Sequence, residues 1–351
     1  MSAGNRRPLA VTTGDPGGVG PEVALRACLS LEDPDAASVL YGDAGALRAL
    51  ALELGLDAAR LQQVQAGAEA RVAAGRVGLV DVDVDVDVGV GWSEQAMSHR
   101  PTAAGGRAQL AALDAGLEAA LAGRVRALVT APMSKAAVVM AGTAFSGHTE
   151  HLARAAGLAD DEVTMSFLGP RLKVALATTH MAVAQLSSAI TQDRVLRSIR
   201  HLAQALLALH SGEASSHPLR LLVTGLNPHA GEGGLFGSEE PAAIAPAVEL
   251  ASKEAPFCDG RMTLEGPLPA ETAFRLAAAG QAAGVVAMMH DQATIASKLL
   301  DWTAASNVTL GLPFVRTSVD HGVAYDAAAA GTADAAGMAA ALRMALRLTP
   351  S

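Results

Sequence analysis

The amino-acid sequence predicts an α/β fold with a doubly wound, largely parallel sheet, and three observations predict it. Short apolar runs of strand length end repeatedly in polar, Gly- or Pro-bearing loops. Ala/Leu-rich stretches with helical spacing separate those runs. The runs themselves do not alternate polar with apolar, which fits strands buried on both faces. Composition agrees: half of the 351 residues are apolar, yet only 3% are aromatic and 17% charged. The core must then be built from Ala, Val, Leu and Met. Such hydrophobicity excludes chain-wide disorder. A net charge of −9 with almost no aromatic residues argues against general nucleic-acid binding. Cys28 and Cys258 cannot form a disulfide framework. At roughly 150 residues per domain, the length fits two domains or one large α/β unit.

Taken in order, residues 9–13 read as a strand, and the loop Thr13-Gly14-Asp15-Pro16-Gly17-Gly18-Val19-Gly20-Pro21-Glu22 opens a helix over 21–29, with Pro21 suited to its first turn. That loop lacks both the Lys-Ser/Thr of a P-loop and the G-x-G-x-x-G spacing; there is no Rossmann fingerprint, so a dinucleotide, if bound, must be held another way. A strand over 38–41 and a helix over 45–54 follow, then a surface helix or loop over 66–74. Residues 81–88 alternate Asp with Val. This fits a solvated edge strand or hairpin arm that discourages edge-to-edge pairing, or a cation site with carboxylates about 7 Å apart on one face. Leu110, Leu113, Leu117 and Leu121 recur at helical spacing within 103–122. Further strands are expected over 127–130, 173–178, 220–224 and 284–289, and further helices over 191–209, 241–253 and 337–348. Arg6 and Arg7 precede an apolar stretch that Thr12, Thr13, Gly14 and Asp15 interrupt too early for a signal segment. No apolar run of about 18 residues exists for a membrane span, and a cytoplasmic protein is expected.

The placement of histidines carries the chemistry. Of ten, His180, His229 and His290 each fall just beyond a buried-strand run. Ligands of open parallel sheets bind outside the carboxyl ends of strands. Three neutral imidazoles delivered there could form a metal site with open positions for substrate, although one strand-end histidine alone is more often a hydrogen-bonded loop residue. No H-E-x-x-H motif is present, which argues against a zincin peptidase. Gly147-His148-Thr149-Glu150 offers imidazole and hydroxyl donors, while Lys298, Asn307 and Arg316 suit an anionic substrate. The glycine-dense loop over 227–237 either wraps a site or is a structural turn.

Together these segments resemble the 4-hydroxythreonine-4-phosphate dehydrogenase family of pyridoxal phosphate biosynthesis over nearly the full chain. The resemblance is carried by the 13–22 loop, Ser146-Gly147-His148-Thr149-Glu150, Ala177-Thr178-Thr179-His180 and Leu226-Asn227-Pro228-His229-Ala230-Gly231-Glu232. It continues through Gly266-Pro267-Leu268-Pro269-Ala270, His290-Asp291-Gln292 and the stretch from Asn307 to Gly322 that contains Arg316 and His321. It implies an isocitrate/isopropylmalate dehydrogenase-like fold: two α/β/α lobes around a central cleft, one from 1–132 with 306–351 on the nucleotide side, the other from 133–305 on the metal and dimer side. It implies a divalent metal held by His180, His229 and His290, the third coming from the other subunit of a homodimer whose active site lies at the interface. Zinc suits this donor set; Co²⁺, Ni²⁺, Mn²⁺ and Mg²⁺ are alternatives. It implies that His148, Thr149, Glu271, Lys298, Asn307 and Arg316 contact a phosphorylated substrate. The stretch His321, Gly322 to Asp326 resembles the adenosine-binding stretch of the wider superfamily, which implies NAD or NADP. The implied chemistry is oxidation of a secondary alcohol to a β-keto acid that loses CO₂, with Lys135 and Asp291 as candidate proton acceptors.

The chain also departs from the family pattern. Glu271 stands where Asp is usual, Ala293-Thr294 replaces Gly-Leu, Met181-Ala182 replaces an apolar-Pro pair, and His151 adds an imidazole. These differences bear on the substrate more than on the fold. The sister substrates are threonate or erythronate 4-phosphate, and a terephthalate-derived dihydrodiol dicarboxylate. A different class, a non-catalytic metal- or nucleotide-binding protein, would bind metal but form no NADH.

Overall fold

The computed structural model describes residues 7–31, 36–82, 98–212 and 217–349. Its chain divides into two compact units, one from Met1–Gly157 with Leu312–Thr349, the other Leu158–Gly311. The first unit runs β1 (Leu9–Thr12), α1 (Gly20–Leu29), β2 (Ser38–Gly42), α2 (Ala44–Glu53), β3 (Leu61–Val64), β4 (Val77–Asp81), α3 (Ala103–Leu121), β5 (Ala127–Thr130), α4 (Lys135–Met140) and α5 (His148–Ala155). The second contains β6 (Thr164–Leu168), β7 (Lys173–Leu176), α6 (Leu186–Ala189), α7 (Gln192–Leu209), β8 (Leu219–Thr224), α8 (Ala245–Ser252), β9 (Met262–Leu268), α9 (Ala270–Ala278), β10 (Gly284–Ala287), α10 (His290–Asp301) and β11 (Ser306–Leu310). The chain then returns to the first unit with β12 (Val315–Ser318), α11 (Tyr325–Ala330) and α12 (Ala336–Leu348).

In the first unit the strand order is β3-β4-β2-β1-β5-β12, all parallel. Side chains alternate across a strand, so Leu9 and Val11 face one layer and Ala10 the other. The first layer packs Val23 and Leu25 of α1, Leu47 of α2 and Met338 and Leu342 of α12. The second packs Leu113 and Leu117 of α3, Val138 of α4 and Leu152 of α5. That burial is why α4 and α5 belong to this unit, and the division falls at 157/158 rather than at the expected 132/133. The second boundary falls at 311/312, not 305/306, because β11 pairs antiparallel with β6. Gly106 of α3 lets the backbones approach: a Cβ there would lie 2.0 Å from the Ala137 carbonyl. Thr102 and Ser134 cap α3 and α4, accepting from Gly105 N and Ala137 N.

The second unit orders its strands β11-β6-β7-β10-β8-β9. From β7 to β9 neighbours are parallel, whereas β11, β6 and β7 pair antiparallel. The sheet is therefore less uniformly parallel than the sequence predicts. The cause is a hairpin: Gly169 N donates to Leu172 O, and the buried Asp301 carboxylate accepts from Arg171 N and Leu172 N. Helices α9 and α10 cover one face through Ala273, Ala277 and Ala293. On the other, Leu202 and Leu206 of α7 lie against Gly284 of β10.

Of the Asp-Val repeat, Asp81 closes β4 and accepts from Ala44 N; residues 83–88 lie outside the described residues. Among the described residues no helix is long and apolar enough to cross a membrane.

Candidate active site

The strands that carry the three predicted metal ligands, β7, β10 and β8, are consecutive and parallel in the second unit. Their carboxyl ends therefore lie side by side. Polar groups tie those ends together: Ala177 N donates to Ala287 O at 2.8 Å, and Thr178 Oγ1 to Met288 O at 2.6 Å. Gln292 completes the knot, its Oε1 accepting from Met288 N and Thr224 Oγ1 while Nε2 donates to Gly225 O. His180 and His290 are thereby brought together, with ring centroids 5.2 Å apart. Asp291 Oδ1 lies 2.8 Å from His290 Nδ1. A carboxylate on one ring nitrogen fixes the tautomer and leaves the other free to ligate. The donor chemistry thus fits a divalent cation. Among the described residues, however, no three His, Cys, Asp or Glu side chains converge closely enough to hold a metal.

His229 is exposed on the loop after β8, and its ring lies 6.5 Å from that of Phe236. This loop is a run of left-handed backbone: φ is 55° at His229, 52° at Ala230, 78° at Gly231, 43° at Glu232 and 66° at Gly233. A residue with a Cβ disfavours that conformation by roughly 1–2 kcal/mol, so His229, Ala230 and Glu232 are held there by their surroundings. Ala230 N donates to Asn227 O and Phe236 N to Gly231 O within the loop, and packed against its base is Glu240, 3% exposed. Its Oε1 accepts from Leu226 N and Asn227 N, and its Oε2 from Asn227 Nδ2. Asn227 Nδ2 also donates to Glu239 Oε2, which with a hydrogen bond from Ser187 keeps the Glu239 carboxyl below its ordinary range. Sequence reading missed Glu240, since a Glu-Glu pair reads as solvated surface; the three glycines at 231, 233 and 234 were the only signal of the turn.

Two other predicted residues of this unit lie on its surface. Lys298 is exposed, its Nζ 5.7 Å above the Trp302 ring. Glu271 is exposed in the first turn of α9. Asn307, on β11, has its amide oxygen buried without a hydrogen-bond partner.

In the first unit, His148 and Arg316 come together. Arg316 is 3% exposed on β12, and its Nη2 donates to Thr130 Oγ1 at 2.7 Å. Burial pulls its pKa down to about 10, countered by Glu150. His148 opens α5, its Nε2 buried with no hydrogen-bond partner. Burial, then the positive Arg316 and His151, hold its pKa well below the usual histidine value, so it is neutral at pH 7. A buried cation beside an unsatisfied imidazole nitrogen is a receptacle for an anion. Thr149 adds a half-buried hydroxyl in the same turn. His151 Nε2 lies 2.6 Å from Asp114 Oδ1.

Lys135 is exposed at the first position of α4, next to the buried Ser134. Ser134 N donates to Gln109 Oε1, Gln109 Nε2 to Asp15 Oδ2, and Tyr325 Oη to Asp15 Oδ2 at 2.8 Å. Burial raises the Asp15 carboxyl. Through this network the 13–22 loop grips the predicted nucleotide stretch, and Val19 N also donates to Val323 O. Gly14 makes the close turn possible, with φ +69° and a would-be Cβ 2.2 Å from Pro132 O. His321, Gly322 and Asp326 are exposed, and nothing lies within 4 Å of a Cβ at Gly322. An exposed carboxylate beside uncrowded backbone fits an adenosine ribose. The link from Asp15 to Gln109 and Tyr325 escaped sequence reading because the residues are up to 310 positions apart.

Comparison with known proteins identifies the family. The family model described as pyridoxal phosphate biosynthetic protein PdxA matches residues 35–345. The 4-hydroxythreonine-4-phosphate dehydrogenase of Burkholderia vietnamiensis is 41% identical over 348 residues, 97% of this chain and 96% of its own. The solved 4-hydroxythreonine-4-phosphate dehydrogenase of Klebsiella pneumoniae is similar with a TM-score of 0.80 at 32% identity, covering 98% of this chain and 100% of that one. A terephthalate 1,2-cis-dihydrodioldehydrogenase from Burkholderia xenovorans LB400 gives 0.66 at 30% identity over 97% of each chain. A match to most of the sequence, joined by relatives above 30% identity along nearly its whole length, means that the chain belongs to the pyridoxal phosphate biosynthetic protein PdxA family.

Proposed function

We propose that this protein oxidises 4-hydroxythreonine 4-phosphate with NAD⁺ or NADP⁺ in pyridoxal phosphate biosynthesis, and that the β-keto acid formed decarboxylates to 3-amino-2-oxopropyl phosphate. The observation that carries the reading is the His180–His290 pair at the ends of adjacent parallel strands, with Asp291 on the second ring, in a chain whose relatives bear that enzyme's name. When bound, a divalent cation (zinc first, then Co²⁺, Ni²⁺, Mn²⁺ or Mg²⁺) and an oxidised nicotinamide would supply Lewis acidity at the substrate hydroxyl and a hydride acceptor. The residues of the chain do the remaining work. His180, His229 and His290 are the ligands, one of them from a second copy of the chain. Arg316 and His148 bind the anionic end of the substrate, and Thr149, Lys298, Asn307 and Glu271 supply further contacts. His321, Gly322 and Asp326 receive the adenosine. Lys135, at the start of α4, takes the hydroxyl proton, and Asp291 orients His290. A homodimer is supported by α10 and the residue that follows it, where Ile295, Leu299 and Trp302 are 59%, 81% and 72% exposed. We infer a cytoplasmic location for this activity.

The buried cation Arg316 favours a phosphorylated substrate over the dihydrodiol dicarboxylate. Threonate or erythronate 4-phosphate is the second reading, left open by Glu271 standing where Asp is usual. The test is a substrate panel with purified protein, following absorbance of the reduced nicotinamide. Fastest turnover on 4-hydroxythreonine 4-phosphate, abolished by chelation and restored by added metal, is expected. Turnover of the dihydrodiol alone would overturn the assignment, and faster turnover of a sister phosphate would reassign the substrate.

A further inference from the structure

We propose that Glu240 is a positioning residue: its buried carboxylate moulds the left-handed turn that presents His229 and so sets the affinity of the protein for a divalent cation. The proposal rests on the reading of His229 as a metal ligand. The turn from His229 to Gly233 keeps five consecutive positive φ values, three at residues that carry a Cβ. Such a run does not persist by local preference; backbone bonds from Ala230 N to Asn227 O and Phe236 N to Gly231 O close it on itself, and the one side chain packed against both its base and its crest is Glu240. Glu240 is 3% exposed and accepts three hydrogen bonds from Leu226 N, Asn227 N and Asn227 Nδ2, at 2.9, 2.8 and 2.9 Å. The donors immediately precede the turn. Two glycines make room for the carboxylate: a Cβ at Gly231 would lie 2.7 Å from Glu240 Oε2, and one at Gly225 would lie 3.0 Å from Oε1. Glu240 therefore sits inside the curve of the loop, out of reach of solvent, with both oxygens engaged. It is too enclosed to touch substrate. Its position dictates the backbone path on which His229 stands, two residues after Asn227.

Groups that orient a ligand alter metal affinity about 10- to 100-fold when removed. The full-length protein is stripped with a chelator and titrated with Co²⁺, whose visible spectrum and dissociation constant both report on the ligands. Glu240→Gln keeps an acceptor for the two backbone N–H groups but sets an amide N–H against Asn227 Nδ2. It should bind Co²⁺ about tenfold or more weakly with an altered spectrum, while the melting temperature of the metal-free protein stays close to that of the parent and saturating Co²⁺ restores kcat. Gly231→Ala, which presses on the same carboxylate from the loop side, should weaken Co²⁺ binding likewise. Unchanged Co²⁺ affinity in both folded variants, with binding lost in His229→Ala, overturns the proposal and leaves the ligand assignment standing. Parental affinity in His229→Ala overturns the ligand assignment and the proposal with it. Failure of both Glu240→Gln and Gly231→Ala to fold assigns Glu240 to the stability of the unit and equally overturns it.

Discussion

Arg316 is almost entirely buried, and the hydroxyl of Thr130 meets one of its nitrogens at 2.7 Å. Burying a guanidinium costs several kcal/mol unless other groups compensate, and the pKa near 10 leaves it charged at neutral pH. A phosphate gains most from such a planar fork, which lysine cannot reproduce. Arg316→Lys should therefore raise KM for the phosphorylated substrate about tenfold or more, worth ~1.4 kcal/mol, with kcat changed by less than about twofold. Initial rates across substrate concentration check it; an unchanged KM removes Arg316 from the anion site. Asp291 poses a different question, because the sequence offered it as a proton acceptor and the structure pairs it with His290 Nδ1. As an orienting group, Asp291→Asn should weaken metal binding about 10- to 100-fold and recover most of kcat at saturating metal. A proton acceptor would instead lose kcat however much metal is supplied, so titrating metal into the assay separates the two roles.

At the scale of elements, α7 carries a histidine whose environment makes stability depend on pH. His201 Nδ1 lies 2.9 Å from Thr164 Oγ1 of β6, and its ring fills the space beside Gly311, where a Cβ would lie 2.4 Å from Cε1. Burial first, then the charges of Arg197 and Arg200, pull its pKa down to about 4; His148 on α5 is also held low. Unfolded, both titrate near 6.5. As pH falls from 6.5 toward 4, the unfolded chain takes up protons that the folded chain refuses, so stability is full above 6.5 and declines through that window. For His201 the loss is at most about 3 kcal/mol, less because the ring is partly exposed to screening solvent. Melting temperature should drop between about pH 7.5 and about pH 4.5, and His201→Gln should flatten part of that drop. Equal slopes in parent and variant would remove His201 from the acid sensitivity.

At the scale of the whole molecule, what the sequence revealed depended on how local the signal was. The strands 9–12, 127–130, 173–176 and 284–287 are consecutive buried apolar residues, and the histidines after them were legible because a strand end is a local event. β6, β9, β11 and β12 escaped because Ser166, Glu265, Asn307 and Arg316 interrupt their apolar character, and cross-strand pairing alone makes them strands. The Asp15–Tyr325 bond and the Glu240 mould join residues that no periodicity links. Charge was the least informative global quantity: the protein carries −9, yet the anion receptacle proposed for it centres on a buried cation. That contrast predicts the response to salt. Screening acts over about 10 Å at 0.1 M and reaches buried groups least. Added salt should therefore relieve the long-range repulsion between an acidic surface and a phosphorylated substrate while leaving the Arg316 contact nearly intact. From about 20 to about 200 mM KCl, kcat/KM should hold steady or rise by up to about twofold. A surface patch of cations would behave in the opposite way, its attraction fading as ions compete, so a fall of about fivefold or more would place the anion on exposed side chains such as Lys298 and not on Arg316.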